Sequence, residues 1–196
     1  MKTKILKSAL FVATTMALVS FDLPTGWLKM GDKPNSYEMG TVKGGGQDGK
    51  NAATIKSIDK KINGFGTLMQ ECNAGKYLGK RIRMTGFIKS ENVTEWAGLW
   101  LRVDQMGSEQ FLSFDNMHDR PIKGTTAWTK CEIVLDVPSN ASLLAYGALL
   151  SGTGQIWFDK LIFEIVDSSV KTTGTFGTTS QDEVIYNEPT NLDFEK

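Results

Sequence analysis

Trp96, Trp100, Arg102 and Asp104 recur at even spacing along one nine-residue stretch, and Ala97, Leu99, Leu101 and Val103 fill the positions between them. In an extended strand this alternation puts the two tryptophans, the guanidinium and the carboxylate on one face and the aliphatic residues on the other. A tryptophan ring offers a flat apolar surface on which the C–H face of a sugar stacks, and charged or amide tips beside it bond the hydroxyls. The row therefore has the composition of a surface for carbohydrate or a similar polar ligand. Upstream, Arg83 and Lys89 alternate with Ile82, Met84, Gly86 and Ile88, and downstream Asp115 and Asn116 lie within reach of the same rim. The same residues also permit two plainer arrangements: one or both tryptophans packed under a loop, or a solvated sheet face held by charge pairs.

Covalent or acid–base chemistry has little to work with. His118, beside Asp119 and Arg120, is the single histidine and has no nucleophile motif near it, so neither a triad nor a zinc cluster can be assembled. The carboxylates are scattered, and no pair stands out as the two acids of a glycosidase. The expectation is a non-catalytic protein.

The elements that would hold these residues read as strands. From Phe111 to Val166, an edge strand and an ordered loop precede three β-branched and aromatic runs. These are cut apart by Pro138-Ser139-Asn140 and Gly152-Thr153-Gly154. Taken alone, this segment predicts a single antiparallel meander. Arg81–Ser90 and Trp96–Asp104 read as two further strands, and shorter ones are expected at Ser36–Gly40, Ala52–Ile58 and Phe65–Cys72. The run from Gly44 to Lys50 lacks the flanking strand and helix of a phosphate cradle and reads as a hairpin loop. With no sustained amphipathic helix, the pattern is that of an all-β sandwich.

Twenty-two basic and 22 acidic residues among 196 give a formal charge of zero, so no field recruits nucleic acid or anionic lipid. Residues 1–20 carry Lys2, Lys4 and Lys7 ahead of a short apolar run, the form of a signal peptide and too short to span a membrane comfortably. The chain is then expected to be secreted or periplasmic, with one domain over 21–167 and no membrane span after cleavage. A Thr/Gly/Ser-rich linker at 168–183 and a tail at 184–196 would follow. In an oxidising compartment Cys72 and Cys131 either form a disulfide, contributing about 4 kcal/mol by loop closure, or stay as separate buried thiols. Sequence leaves both open. Asn92-Val93-Thr94 and Asn140-Ala141-Ser142 have the form of glycosylation sequons.

Several segments together resemble the carbohydrate-binding-module-like jelly roll, also called the galactose-binding-like fold. They are Gly26-Trp27, Gly49-Lys50-Asn51-Ala52, YLGKRIRMTGFIK, WAGLWLRV, WTK ahead of EIVLDVP, and SGTGQIWFDKLIFE. The resemblance runs from about Gly26 to Val166 and implies a jelly-roll β-sandwich of two antiparallel sheets that binds rather than catalyses. A closer likeness in SFDNM, DRPIKGTT, EIVLDVP and LLSGTG is to a bacterial module associated with fusions to helix-turn-helix regulators. The resemblance also implies a structural calcium near the joined chain ends, with Asp159 at the acidic position and Asp48, Glu195 or Asp22 beside it. Lys160 stands where a second acid is usual. Finally, Asn191-Leu192-Asp193-Phe194-Glu195 resembles the first strand of such jelly rolls. This implies that the tail returns as an edge strand, in its own molecule or, by self-association, in a neighbour; its composition equally allows a disordered tail. The exposed edge and tail also permit an alternative function, an envelope structural or protein-interaction module that docks a partner by strand addition.

Overall fold

The computed structural model describes residues 21–108, 110–175 and 188–195. The leader, the second half of the linker, and the ends of the tail lie outside these residues. The described residues form nine strands: β1 (Leu28–Gly31), β2 (Tyr37–Val42), β3 (Ala52–Ser57), β4 (Phe65–Asn73), β5 (Lys80–Asp104), β6 (Phe111–Asp115), β7 (Ile122–Val137), β8 (Leu143–Ser151) and β9 (Gln155–Val166). All pairings are antiparallel. The only helical pieces among the described residues are single 3-10 turns at Pro34–Ser36 and Gly75–Tyr77.

The sandwich is organised by β5, a 25-residue strand that belongs to both layers. Its first half pairs with β9 and β7, giving a first sheet in the order β2-β3-β9-β5-β7; its second half pairs with β8 and β6, giving a second in the order β1-β4-β8-β5-β6. The two stretches read above as separate strands are thus one. Inward residues are Ile82, Met84 and Ile88 in the first half but Ala97, Leu99, Leu101 and Val103 in the second. The change of parity falls where the register slips and where Asn92 takes a left-handed φ of 53°. A bulged corner of this kind turns a strand from one sheet into another while keeping its apolar side on the core.

The expected meander is overturned. β6 to β9 have nearly the expected limits, but β7, β8 and β9 do not pair with one another; each lies against β5 instead. From β6 to β9 consecutive strands alternate between layers, because each of these connections crosses the end of the sandwich rather than closing a tight hairpin.

Cys72 and Cys131 are free and buried, on β4 and β7 respectively. Of the two alternatives, the structure shows separate thiols, each part of the apolar core between the sheets.

The chain after β9 is not a free linker over its first turns. Arg81 holds it by donating to the carbonyls of Ser168 and Val170, both at 2.6 Å, while bonding Asp136 through two nitrogens. Thr173 then bonds Val134 of β7, and Thr175 exchanges two backbone hydrogen bonds with Phe114 of β6. The strap therefore joins the edge of one sheet to the edge of the other. Gly174 sits so close to Leu135 and to the Phe114 carbonyl that no side chain fits there.

Residues 188–195 return to their own domain as turns, without forming a ladder. Phe194 is fully buried, with its ring 5.1 Å from both Trp27 and Phe158. Buried Gln70 anchors the segment by accepting from the Thr190 amide at 2.9 Å and donating to the Thr190 hydroxyl at 3.1 Å. The tail serves the core as a plug.

Candidate functional site

The outward face of the second sheet carries a second apolar cluster, separate from the core: Met69, Trp100, Ala145 and Leu149 are buried there, with Leu28, Trp96 and Phe114 packed against them. Register explains how they meet. Trp100 stands opposite Gly147 of β8, which stands opposite Met69 of β4, which stands opposite Leu28 of β1. Because Gly147 has no side chain, the indole lies across β8 and its Nε1 donates to Thr67 Oγ1 on β4 at 2.8 Å. Trp100 is left 7% exposed, a floor element rather than a free ring.

Trp96 is less buried, and His118 stands edge-on to it, with ring centroids 5.1 Å apart and an interplanar angle of 88°. The loop carrying His118 crosses the face at Gly98, where the Asn116 carbonyl and Met117 leave little room for a side chain. Asn116 Oδ1 accepts from the His118 amide at 3.2 Å, which fixes this crossing. His118, an exposed loop residue, thus borders the face.

At the other end Arg102 and Asp104 continue the row. Arg102 Nε donates to Asp104 Oδ2 at 2.8 Å, and Asp104 is buried with no hydrogen-bond partner for Oδ1. Burial pushes the Asp104 carboxyl above the ordinary carboxylate range, and the Arg102 guanidinium opposes that shift. Arg102 stands opposite Ala145, and Ala145 opposite buried Glu71, so the three charged residues share this end of the face.

Other residues expected on the rim lie elsewhere. Arg83 and Lys89 alternate with the core residues of β5's first half, so they are on the outer surface of the first sheet, across the sandwich from Trp100. Arg83 pairs there with Glu164 at 3.0 Å and Lys89 Nζ lies 4.7 Å from the Trp157 ring centroid. Reading two strands as neighbours placed them with the tryptophans; the bulged corner separates them. Asp115 pairs with inward Leu101 and is consumed at the sheet edge by Arg120, the Met117 amide and the Thr173 hydroxyl. Its role there is structural. Met69, Glu71 and Thr67 were missed, although the alternation Phe65, Thr67, Met69, Glu71 in β4 carries the signal.

The implied calcium position does not fit a hard cation. Asp159 is buried, but its oxygens accept the backbone amides of Gln47 at 3.1 Å and Lys160 at 2.7 Å. Asp48 accepts the Lys50 amide and pairs with Lys160 Nζ at 3.3 Å, and Glu195 accepts the Asn51 amide at 2.8 Å. Asp22 is bridged to Thr41 through its backbone. Asp48, Asp159 and Glu195 are each turned to an N–H or an ammonium, whereas calcium needs six to eight converging oxygens. No group of three or more His, Cys, Asp or Glu side chains able to hold a metal occurs among the described residues.

The chain has the carbohydrate-binding-module-like jelly-roll fold. It is similar to the xylanase 10B modules of Clostridium thermocellum solved with xylohexaose, at 16% identity and a TM-score of 0.52, over 74% of this chain and 27% of that one. It is similar also to a xylan-binding domain from Paenibacillus barcinonensis, at 14% identity and a TM-score of 0.51, over 75% of this chain and 90% of that one. No family model matches. In sequence, the chain is 42% identical over 172 residues to YbfP of Bacillus subtilis, named as an HTH-type transcriptional regulator. The match covers 87% of this chain and spans 57% of that relative's length. No helix among the described residues is long and apolar enough to cross a membrane.

Proposed function

We propose that this chain is a non-catalytic binding module for carbohydrate or a similar polar ligand, and that the ligand lies on the outward face of the second sheet. The observation that supports this most is the Trp96–Trp100 row: a half-buried ring beside a buried one, set among apolar residues outside the core and continued by Arg102 and Asp104. Aromatic floors edged by polar tips match the amphipathic surface of a sugar ring. The fold likeness to modules solved with or named for xylan is consistent with that chemistry. Residues 1–20 would direct the chain out of the cytoplasm, to the periplasm or the medium.

The test is tryptophan fluorescence of the protein titrated with a panel of soluble glycans, repeated for Trp96→Ala. Saturable change with some glycans that disappears in the variant supports the reading. A flat response across the panel from folded protein removes it.

The likeness to YbfP favours a second reading, in which binding at the same face is reported to a regulatory partner. An alkaline phosphatase fusion to the leader separates the two. Activity outside the cytoplasm favours a secreted binder, and its absence favours the regulatory context.

A further inference from the structure

The geometry points to a position and a length for the ligand: we infer that an extended pyranose chain, a trisaccharide or longer, lies across the strands at one end of this face, stacked on Phe65 and Trp96. The inference rests on the binding reading above and adds the second ring, the direction of the chain and its minimum length. Register places the rings. Phe65 of β4 stands opposite Ser151 of β8, and Ser151 stands opposite Trp96 of β5, so one row runs across three strands. Phe65 shares the outward parity of Thr67 and Met69, which lie with Trp100, whereas Gly66 and Leu68 between them turn to Tyr37, Met39 and the core. His118 closes the row beyond Trp96.

Trp100 is poorly placed to be the second ring. It is sunk against Thr67, and the crossing of Asn116 and Met117 at Gly98 separates it from Trp96. Phe65 is 37% exposed instead, and its backbone is held on both sides: its amide donates to Asp32 Oδ1 at 2.6 Å and its carbonyl accepts from the Lys33 amide at 3.0 Å. A ring on a fixed backbone has little freedom left to lose when a ligand stacks on it. Phe65 and Trp96 are two strand spacings apart, about 10 Å. A single pyranose is shorter than that gap, so the sugars stacked on the two rings have at least one further residue between them. There the exposed Glu95 carboxylate, oriented by the Ser151 hydroxyl at 2.5 Å, offers an acceptor to sugar hydroxyls.

The experiment uses the intact protein and β-1,4-linked oligosaccharides of xylose, glucose and galactose, from monosaccharide to hexasaccharide, with affinity read by calorimetry. In a series that binds, affinity should rise by about tenfold or more between the disaccharide and the trisaccharide, where the second ring is first engaged. Phe65→Ala should remove that step and leave the disaccharide, held at Trp96, unchanged. Phe65→Tyr should keep the step. Phe65→Leu, which retains apolar volume without an aromatic face, should lose it, and this separates stacking from folding. If the variants do not fold, the length series on the unaltered protein carries the test. Oligosaccharides that bind with no step at the trisaccharide, or a step that survives Phe65→Ala, overturn the inference and leave the binding reading standing. Failure of every oligosaccharide to bind overturns the binding reading, and the inference with it.

Discussion

Trp100 on β5 and Thr67 on β4 are joined by a 2.8 Å hydrogen bond that spans the intervening strand β8. The indole thus ties three strands together from outside the core, whereas Trp96, four residues away on the same face, touches His118 at the rim. The two tryptophans should respond differently to truncation. Trp100→Ala is expected to lower stability by about 3–5 kcal/mol, because it opens a cavity and removes the indole donor to Thr67 Oγ1, whose hydroxyl keeps its bond to the Ala148 carbonyl. Trp96→Ala should cost far less and should abolish glycan binding. Urea unfolding and fluorescence titration of both variants check the contrast.

The buried plug makes a second expectation quantitative. Phe194 fills space between Trp27 and Phe158, so Phe194→Ala should destabilise the domain by about 3–5 kcal/mol despite lying two residues from the chain's last position. Removing residues 188–196 should do at least as much. A melting temperature unchanged by either alteration would show that the tail is not part of the core.

Calcium should be without effect. Lys160 and backbone amides already satisfy Asp48, Asp159 and Glu195, so neither chelator nor millimolar calcium is expected to move the melting transition. Lys160→Met should lower it, since Asp48 loses its paired ammonium. A rise in melting temperature on adding calcium to the unaltered protein would contradict the donor geometry.

The pH dependence of stability has two opposed parts. The Arg81 guanidinium holds the Asp136 carboxyl below its usual range, so its contribution is present above the unfolded value and is lost as pH falls through the folded one. Asp104 has the opposite sign. Burial holds its carboxyl high, so its contribution is complete below the unfolded value and is lost as pH rises through the folded one. Between neutral and acidic pH, Asp136→Asn should therefore flatten the acid loss of stability, and Asp104→Asn should steepen it. Thermal melts across that range measure both slopes.

Burial pushes both cysteine thiols up to about 12, chiefly by desolvation. Thiolate is the reactive species, so Cys72 and Cys131 should resist alkylation in the native protein and label fully once it is unfolded. Rapid native labelling of either would place it at the surface.

Strand positions were largely legible because β-branched runs and turn residues are local signals. The limits of β7, β8 and β9 follow from Pro138-Ser139-Asn140 and Gly152-Thr153-Gly154. Pairing was not legible, since which strands meet depends on contacts far apart in sequence. β8 pairs with β4 and β5 rather than with its chain neighbours. The same limit governed the site. Trp96, Trp100, Arg102 and Asp104 share a face by simple alternation, but Arg83 and Lys89 went to the opposite surface because Asn92 bends the strand between them. The strap at Thr173–Thr175 was hidden by a composition shared with flexible linkers, and only Gly174, pressed against Leu135 and Phe114, marks it as fitted.

The shared strand β5 also bears on how the molecule opens. Two sheets built from separate strands can fluctuate independently, each with its own opening free energy, and amide hydrogen exchange then reports two tiers of protection. Here the central strand of both layers is one covalent element, flanked by β9 and β7 on one half and β8 and β6 on the other. Pulling either layer apart strips the ladder from a strand that the other layer needs. The slowest-exchanging amides of both halves of β5 therefore belong to a single cooperative unit.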